Sequence, residues 1–358
     1  MAQNKNQHYV PRCHLRPFTL NGEGACLNLY NVSSGKIIEE ASASGQCSKD
    51  YFYGHDLDVE KAFQEIEGLY ASTIRNIEAR NGASEDAELF SLLNFAFLQR
   101  LRTDNAVRRV HQMQQMNEDI IFRGEERQAQ RWKPMSRLEL VQLTMVAYRD
   151  RRDVLDDLKT VVVRNETELE FVTSDDPSIS TNRYYIQKLG ATDFGLSNAG
   201  AIIALPISPR LLFLAYDGGC YTIPEKNGGV VRLKKAADVA HVNRFQILNC
   251  SANLYFSDMA MASKIAAQFR EDEASRIAAW SVVEELIEVA ENTFRRARTA
   301  EEARGAKRTI VHSSSRHPIP AGWPSFLKFR DPIRVVETGT GAGVVRRGVT
   351  RPNYAEGS

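Results

Sequence analysis

The segment LFSLLNFAFLQRL, from Leu89 to Leu101, is apolar on nearly every side of a helix. A surface helix shows a single apolar stripe, whereas a helix that is apolar all round lies inside a core. We therefore expect this helix to occupy the centre of the protein. Ser84 is its predicted N-cap, and a polar, more exposed arm is expected to continue the helix to Phe122.

Other elements follow from the spacing of apolar residues on either side of this helix. A β-hairpin is predicted over residues 26–40, and further strands over 160–163, 168–173, 201–207, 211–216 and 253–256. Helices are predicted over residues 56–79, 136–158, 236–250 and 273–298. The fold class is therefore α+β: a mixed β-sheet packed against a bundle of helices, with a long C-terminal helix.

Length and composition indicate an ordinary globular protein. The 358 residues are 43% hydrophobic and 25% charged, and the net charge of +1 argues against a uniformly basic surface. One domain is expected over residues 1–304. From Arg304 onward the chain has ten Lys or Arg and three Asp or Glu, so residues 305–358 are expected to form a basic, disordered tail.

Compartment is predicted from the cysteines and from apolar runs. The five cysteines are an odd number, and none has the spacing of a zinc site, which favours free thiols in a reducing cytosol. The N-terminal residues lack an apolar signal core, and no apolar run approaches membrane-spanning length. We expect a cytoplasmic protein without a membrane partner.

A candidate anion site lies near the N-terminus, in the segment QHYVPRCHLRPF from Gln7 to Phe18. Two prolines bracket a single helical turn, so Arg12 and Arg16, four residues apart, share a face. His8 lies just before that turn, near its positive end. An imidazole beside two guanidinium groups is suited to hold a phosphate or a carboxylate.

Paired carboxylates end the predicted strand 168–173, where the chain reads Ser174-Asp175-Asp176-Pro177. Two adjacent carboxylates at a strand end can bind a divalent metal ion or orient a histidine. The alternative is a turn held by hydrogen bonds from side chains to the backbone, which serine and aspartate both favour. The sequence does not decide between a metal site and a turn.

Two further candidate groups lie on helices. Arg102 and Thr103 end the buried helix, and the arginine is expected either to pair with Asp175 or Asp176 or to reach water. Asn243 and Gln246 share a helix face, from which amides can read base edges or sugar hydroxyls, or can instead bind neighbouring backbone.

Several enzyme signatures are absent from the sequence. It contains neither of the glycine-rich phosphate motifs, GxGxxG after a strand or GxxxxGK[ST], and it lacks the GxSxG and HExxH motifs. The reaction class therefore has to be inferred from the candidate groups themselves.

Five motifs together, in this order, resemble the family known as domain of unknown function 4238. They are His8-Tyr9-Val10-Pro11-Arg12, Arg102-Thr103, Ser174-Asp175-Asp176-Pro177, Leu205-Pro206-Ile207-Ser208-Pro209 and the pair Asn243 and Gln246. The resemblance covers about residues 7–258. It implies a toxic effector of bacterial antiphage defence, because similar members have been associated with that role, but it implies no particular reaction.

The candidate groups fit two classes of function. The first is a phosphodiester-cleaving, nuclease-like enzyme in which His8 is the general acid or base. Asp175 would orient it or bind a divalent metal, and Arg12, Arg16 and Arg102 would hold the phosphate. Asp176 is a further catalytic candidate, and the further candidate binding residues are Thr103, Ser174, Asn243 and Gln246. The second is a non-catalytic sensor or adaptor that uses the same pocket for a ligand. Nucleic acid or another phosphate-bearing ligand is the expected partner.

Overall fold

The computed structural model describes residues 5–55, 58–123, 132–223, 230–291, 293–338 and 343–348. The helices within these ranges are α1 (Arg12–Leu15), α2 (Asp58–Ala79), α3 (Asp86–Arg102), α4 (Asp104–Ile121), α5 (Arg137–Asp150), α6 (Ala236–Asn249), α7 (Ala262–Asp272) and α8 (Ala300–Gly305). Short 3-10 turns follow α1 and precede or follow several other elements.

The strands run through the whole chain. They are β1 (Asn6–His8), β2 (Cys26–Asn31), β3 (Lys36–Ser42), β4 (Ser48–Asp50), β5 (Leu158–Asn165), β6 (Thr173–Ser174), β7 (Ile179–Asn182), β8 (Ala201–Ser208), β9 (Leu211–Asp217), β10 (Tyr221–Thr222), β11 (Val230–Leu233), β12 (Asn253–Phe256), β13 (Ser281–Ala290), β14 (Thr293–Arg296), β15 (Thr309–Ser315), β16 (Lys328–Phe329), β17 (Val336–Glu337) and β18 (Val344–Val345). Helices and mixed sheets together confirm the α+β class.

The central sheet has five strands in the order β11-β5-β9-β8-β7 and is covered on both faces. Only the β11–β5 pair is parallel. Along β5, Val162 packs with the apolar residues of α2 and α3, while Val161 and Val163 pack on the opposite face with α6. This alternation with a period of two makes a three-layer arrangement with a core on each side of the sheet.

Helix α3 is buried, as its apolar pattern predicts, with Leu92, Phe95 and Ala96 fully inaccessible to solvent. Its N-cap is Glu85 rather than Ser84, because Glu85 forms a capping box with Glu88. The expectation that this helix continues without a break to Phe122 is also wrong. The helix ends at Arg102, and a new helix, α4, begins after an extended residue that caps it.

A second sheet joins the N-terminal hairpin to β6 and β12, two strands from later in the chain. The hairpin β2–β3 is confirmed, and the sheet order is β3-β2-β12-β6. The strand predicted over 168–173 shrinks to β6, because the Asn243 side chain binds the backbone of Val172 and Glu170 in place of a neighbouring strand. The predicted helix 136–158 is likewise shorter, since α5 ends at Asp150 and β5 begins at Leu158.

The region predicted as a long C-terminal helix is instead β-structure. Strand β13 pairs with β14 on one side and with β15 on the other, in register from Ser281 opposite Ser315 to Ile287 opposite Thr309. Its two adjacent valines are β-branched, which suits a strand better than a helix. The expectation of a helix over residues 273–298 is therefore corrected.

The expected disordered tail is also corrected for the residues that the structure describes there. Strand β15 belongs to the sheet just described, and Trp323, Phe326 and Leu327 are buried against the central sheet. These apolar residues lie between prolines and do not recur with the spacing of a helix or a strand. Hydrophobic periodicity therefore does not predict their burial. Residues 339–342 and 349–358 of the predicted tail lie outside the described residues, as do positions 56 and 57 of the helix predicted over 56–79 and position 292 of the helix predicted over 273–298.

Candidate functional site

The chain is extended at Thr103, between α3 and α4, and the adjacent side chains of Arg102 and Thr103 therefore lie in different polar clusters. Arg102 turns toward α2, and Thr103 turns toward the Ser174–Pro177 loop. Thr103 also caps α4 by accepting a hydrogen bond from the Ala106 amide, which holds the chain extended at that residue. The two clusters are called below the Arg102 cluster and the Asp176 cluster.

The Arg102 cluster is built around a guanidinium group with no exposure to solvent. Arg102 donates to Glu67 Oε1 at 2.8 Å and to Gln99 Oε1 at 3.0 Å, and it lies 5.0 Å from the centre of the Phe63 ring. Burial with a carboxylate partner agrees with the sequence, but pairing with Asp175 or Asp176 does not occur. Helix α2 supplies the carboxylate because it packs beside the end of α3.

His8 is half-buried and lies near the Arg102 cluster. Its Nε2 atom is 3.2 Å from the Ser44 carbonyl oxygen. Burial lowers its pKa, and the charges of Arg12 and Arg102 act in the same direction. Arg12 and Arg16 are both exposed, and Arg16 donates to the Gly22 carbonyl.

His14 links the N-terminal segment to the strand before the paired aspartates. It is fully buried, with Nδ1 2.7 Å from the Tyr70 hydroxyl and Nε2 2.9 Å from the Thr173 hydroxyl. Burial, aided by the charge of Arg102, lowers the pKa of His14 to about 3. The imidazole is therefore neutral and acts as a structural bridge.

Because the buried His14 imidazole is neutral, we expect the folded protein to lose stability in acid. The unfolded chain binds a proton at His14 near its ordinary pKa of 6.5 while the folded imidazole does not, so acidification favours unfolding. Between pH 6.5 and 5 we expect this residue alone to lower the free energy of unfolding by about 1.6 kcal/mol. Urea unfolding at both pH values should show a smaller loss for His14→Gln than for the wild type. Equal losses in the two proteins would contradict this assignment.

The Asp176 cluster contains a carboxylate with no exposure to solvent. Asp176 accepts hydrogen bonds from the Thr103 hydroxyl at 2.7 Å, from Asn105 Nδ2 at 2.9 Å and from Arg109 at 2.6 Å. All three donors come from the first part of α4 and its cap. The carboxylate is thus compensated by one charge and two neutral donors, as a buried ion requires.

Asp175 points elsewhere and is held by backbone. Its two carboxylate oxygens accept from the amides of Ser251 at 2.9 Å and Ala252 at 2.8 Å. Burial raises the pKa of Asp175 to about 6. No hydrogen-bond partner of Asp175 is shared with His8.

Metal ligation was one of the alternatives for the paired aspartates. Within the described ranges, no three His, Cys, Asp or Glu side chains are arranged to hold a metal ion together. The oxygens of both aspartates already accept hydrogen bonds from protein groups. The arrangement supports the turn interpretation of this loop.

Helix α6 fastens the loop through its amide side chains. The Ser174 hydroxyl donates to Gln246 Oε1 at 2.7 Å, and Gln246 Nε2 donates to the Pro177 carbonyl at 2.8 Å. Asn249 donates to the Asp176 carbonyl at 2.7 Å. Because Gln246 and Asn243 are buried and bonded to protein groups, they bind neighbouring backbone rather than facing a ligand.

An open cleft of about 250 Å³ adjoins the Asp176 cluster. We call it the arginine cleft, because it is lined by three arginines together with an aromatic ring and polar side chains: Arg108, Arg109, Arg276, Trp280, Asn105, Gln112 and Ser251. Arg109 lies 5.4 Å from the centre of the Trp280 ring. Arg276 donates to the Cys250 carbonyl at 2.7 Å at the end of α6.

A fourth arginine strengthens the positive charge near this cleft. Arg100 makes no hydrogen bond or ion pair with any residue that the structure describes. Burial, together with the nearby charge of Arg109, lowers the pKa of Arg100 to about 10. It remains charged at neutral pH and adds positive charge near Arg109 and Asp176.

Several of these residues were missed from the sequence. Glu67 carries no local signal. Arg276 and Trp280 lie within residues 273–298, which were predicted as a helix. Asn105 and Arg109 could have been found, because they are four residues apart after a capping threonine and must share a helix face.

Comparison with known proteins gives a family but no activity. None of the described helices combines the length and the apolar character needed to cross a bilayer. No curated protein and no solved structure shows significant similarity to this chain. A family model matches residues 6–260, which include both clusters and most of the arginine cleft. The chain therefore belongs to the family described as proteins of unknown function (DUF4238).

Proposed function

We propose that this protein binds a phosphate-bearing ligand in the arginine cleft, with single-stranded nucleic acid as the ligand class. One observation carries the proposal: Arg109 is held by a fully buried carboxylate on one side and lines an open cleft on the other. A guanidinium group fixed in this way binds phosphate with little loss of side-chain entropy.

The other residues of the cleft suit the same ligand. Arg108 and Arg276 add positive charge, which tracks a phosphate backbone, and Trp280 offers a ring on which a base can stack. The arrangement corresponds to the ligand-binding alternative, but with different residues from those expected, since His8 and Asp175 do not line this cleft.

Replacing Trp280 with alanine should weaken binding of a single-stranded oligonucleotide by roughly 5- to 150-fold, because base stacking on an aromatic side chain contributes about 1–3 kcal/mol. Arg108→Gln should also weaken binding, and more strongly at low salt, because it removes a phosphate contact. Fluorescence anisotropy with labelled RNA and DNA oligonucleotides of one sequence measures both effects.

The matched control is Arg75→Gln, which removes the same charge from an exposed position on α2. Its affinity should equal that of the wild type. If the wild type does not bind either oligonucleotide, or if Arg75→Gln weakens binding as much as Arg108→Gln, the proposed cleft is wrong.

A second candidate is cleavage of the bound phosphodiester by an effector of antiphage defence in the bacterial cytoplasm. The observation that favours it is His8, whose lowered pKa leaves it neutral and able to accept a proton, with Arg12 nearby. In this version a strand bound in the arginine cleft extends beyond it to His8, which lies outside the cleft and is the general base at the phosphodiester that reaches it.

His8→Ala should then lower the cleavage rate by about 10²- to 10⁴-fold, as loss of a proton-transfer group does. The substitution removes little packing, so the melting temperature should stay near that of the wild type. Purified protein is incubated with RNA and with DNA, with and without Mg²⁺ or Mn²⁺, and growth and phage plating are scored on expression. Intact substrates in every condition, for folded and biologically active protein, would eliminate the nuclease.

A further inference from the structure

A second positively charged cleft, of about 320 Å³, lies at one end of the central sheet. We call it the C-terminal cleft. It is lined by four cationic side chains and two carboxylates: Lys159, Arg330, Arg334, Arg347, Asp157 and Asp217. Three of the four cations follow residue 260, where the family match ends, so they are not part of the match.

The strand register separates this cleft from the Ser174–Pro177 loop. Asp217 ends β9 and is paired with Leu158 at the start of β5. The loop leads into Ile179 at the start of β7, which is paired with Ala204 and through it with Leu214. Following these pairs across the sheet places the C-terminal cleft at one end of the strands and the loop at the other.

The C-terminal cleft is built by close backbone contacts. The amide of Arg334 donates to the Gly219 carbonyl at 3.0 Å, and Arg330 Nε donates to the Gly218 carbonyl at 2.9 Å. A Cβ atom at Gly219 would lie 2.5 Å from the Arg334 carbonyl oxygen. The glycine turn after β9 therefore fixes where these two arginines stand.

The two carboxylates in the lining are already engaged. Asp217 accepts from the amides of Gly200 and Gly219, both at 2.7 Å. Asp157 forms an ion pair with Arg346, which is almost fully buried behind it and keeps its NH1 atom without a partner among the described residues. Neither carboxylate is an ion-pair partner for the cations that face the cleft.

The four cations have no ion-pair partner among the residues that the structure describes. Like charges that line one small cleft repel each other unless an anion enters it. The cleft of about 320 Å³ has room for two or three linked phosphates, whose oxygens could accept hydrogen bonds from several of these side chains at once.

We propose that the C-terminal cleft binds an oligophosphate group of two or three phosphates, carried by a nucleoside triphosphate or present as free inorganic polyphosphate. Arg334 and Arg347 are exposed and free to swing onto the ligand, and Arg330 and Lys159 complete the contacts. This site is independent of the arginine cleft.

Titration calorimetry of the full chain with inorganic triphosphate, in buffer without divalent metal, tests the proposal. The wild type should bind triphosphate and should bind orthophosphate far more weakly. Arg334→Gln/Arg347→Gln should lose about a hundredfold in affinity for triphosphate, roughly tenfold for each guanidinium contact. Arg75→Gln/Arg270→Gln, which removes the same charge from two exposed helix positions, should bind like the wild type.

Titrations with ATP, GTP and inorganic triphosphate distinguish the two sources of the oligophosphate group. If the source is a nucleotide, ATP or GTP should bind more tightly than inorganic triphosphate, and if it is free polyphosphate, they should not. Trp280→Ala should bind triphosphate normally, so failure of the arginine cleft leaves this result unaffected. Absence of binding by the wild type, equal binding of orthophosphate, or equal loss in the two double variants would overturn the proposal.

Discussion

Replacing Glu67 with alanine should lower the free energy of unfolding by about 3–5 kcal/mol, the cost of leaving a buried charge without its partner. Arg102 has no exposure to solvent, and Glu67 is its carboxylate partner at 2.8 Å. The remaining neutral partner, Gln99, and the Phe63 ring cannot replace that charge. Urea unfolding monitored by circular dichroism measures the change.

The reverse substitution separates this explanation from a simple loss of packing. Arg102→Met removes the buried charge and leaves Glu67, whose side chain is 25% exposed and can be solvated by water. We therefore expect Arg102→Met to be less destabilising than Glu67→Ala, by at least about 1 kcal/mol. The double variant should be more stable than Glu67→Ala alone, and a double-mutant cycle gives the coupling. If Arg102→Met is the more destabilising single change, the assignment is wrong.

Asp176→Ala should be similarly destabilising, by about 3–5 kcal/mol, and it should also disturb the arginine cleft. The substitution leaves three donors in a buried place without an acceptor, and one of them is the Arg109 guanidinium. Arg100 then lies near an unpaired like charge. Both effects favour unfolding.

Asp156→Ala supplies the matched control for this variant. Asp156 is exposed, and its substitution should change the free energy of unfolding by less than about 0.5 kcal/mol. Thermal and urea unfolding compare the two variants, and oligonucleotide anisotropy follows the cleft. An Asp176→Ala protein as stable as the control would show that this carboxylate does not organise α4.

Local patterns in the sequence were sufficient for much of the fold. The all-round apolar character of residues 89–101 predicted a central helix, and the hairpin at 26–40 followed from its turn and alternating residues. Both depend on residues close together in the chain, so periodicity and turn chemistry determine them. Pairing of Arg102 with a carboxylate was one of the two expectations for the end of the central helix, and the buried ion pair with Glu67 agrees with it.

The pairing of charged groups from distant parts of the chain depends on how the helices and strands pack. Arg102 pairs with Glu67 rather than with Asp175 or Asp176, and Asp176 pairs with Arg109, because helix packing and not sequence order sets these distances. The residues 281–290 form a strand because β14 and β15 supply hydrogen-bond partners on both sides, which the segment itself cannot show. A charge in a chain has many candidate partners, and only the folded backbone brings one of them within hydrogen-bond distance.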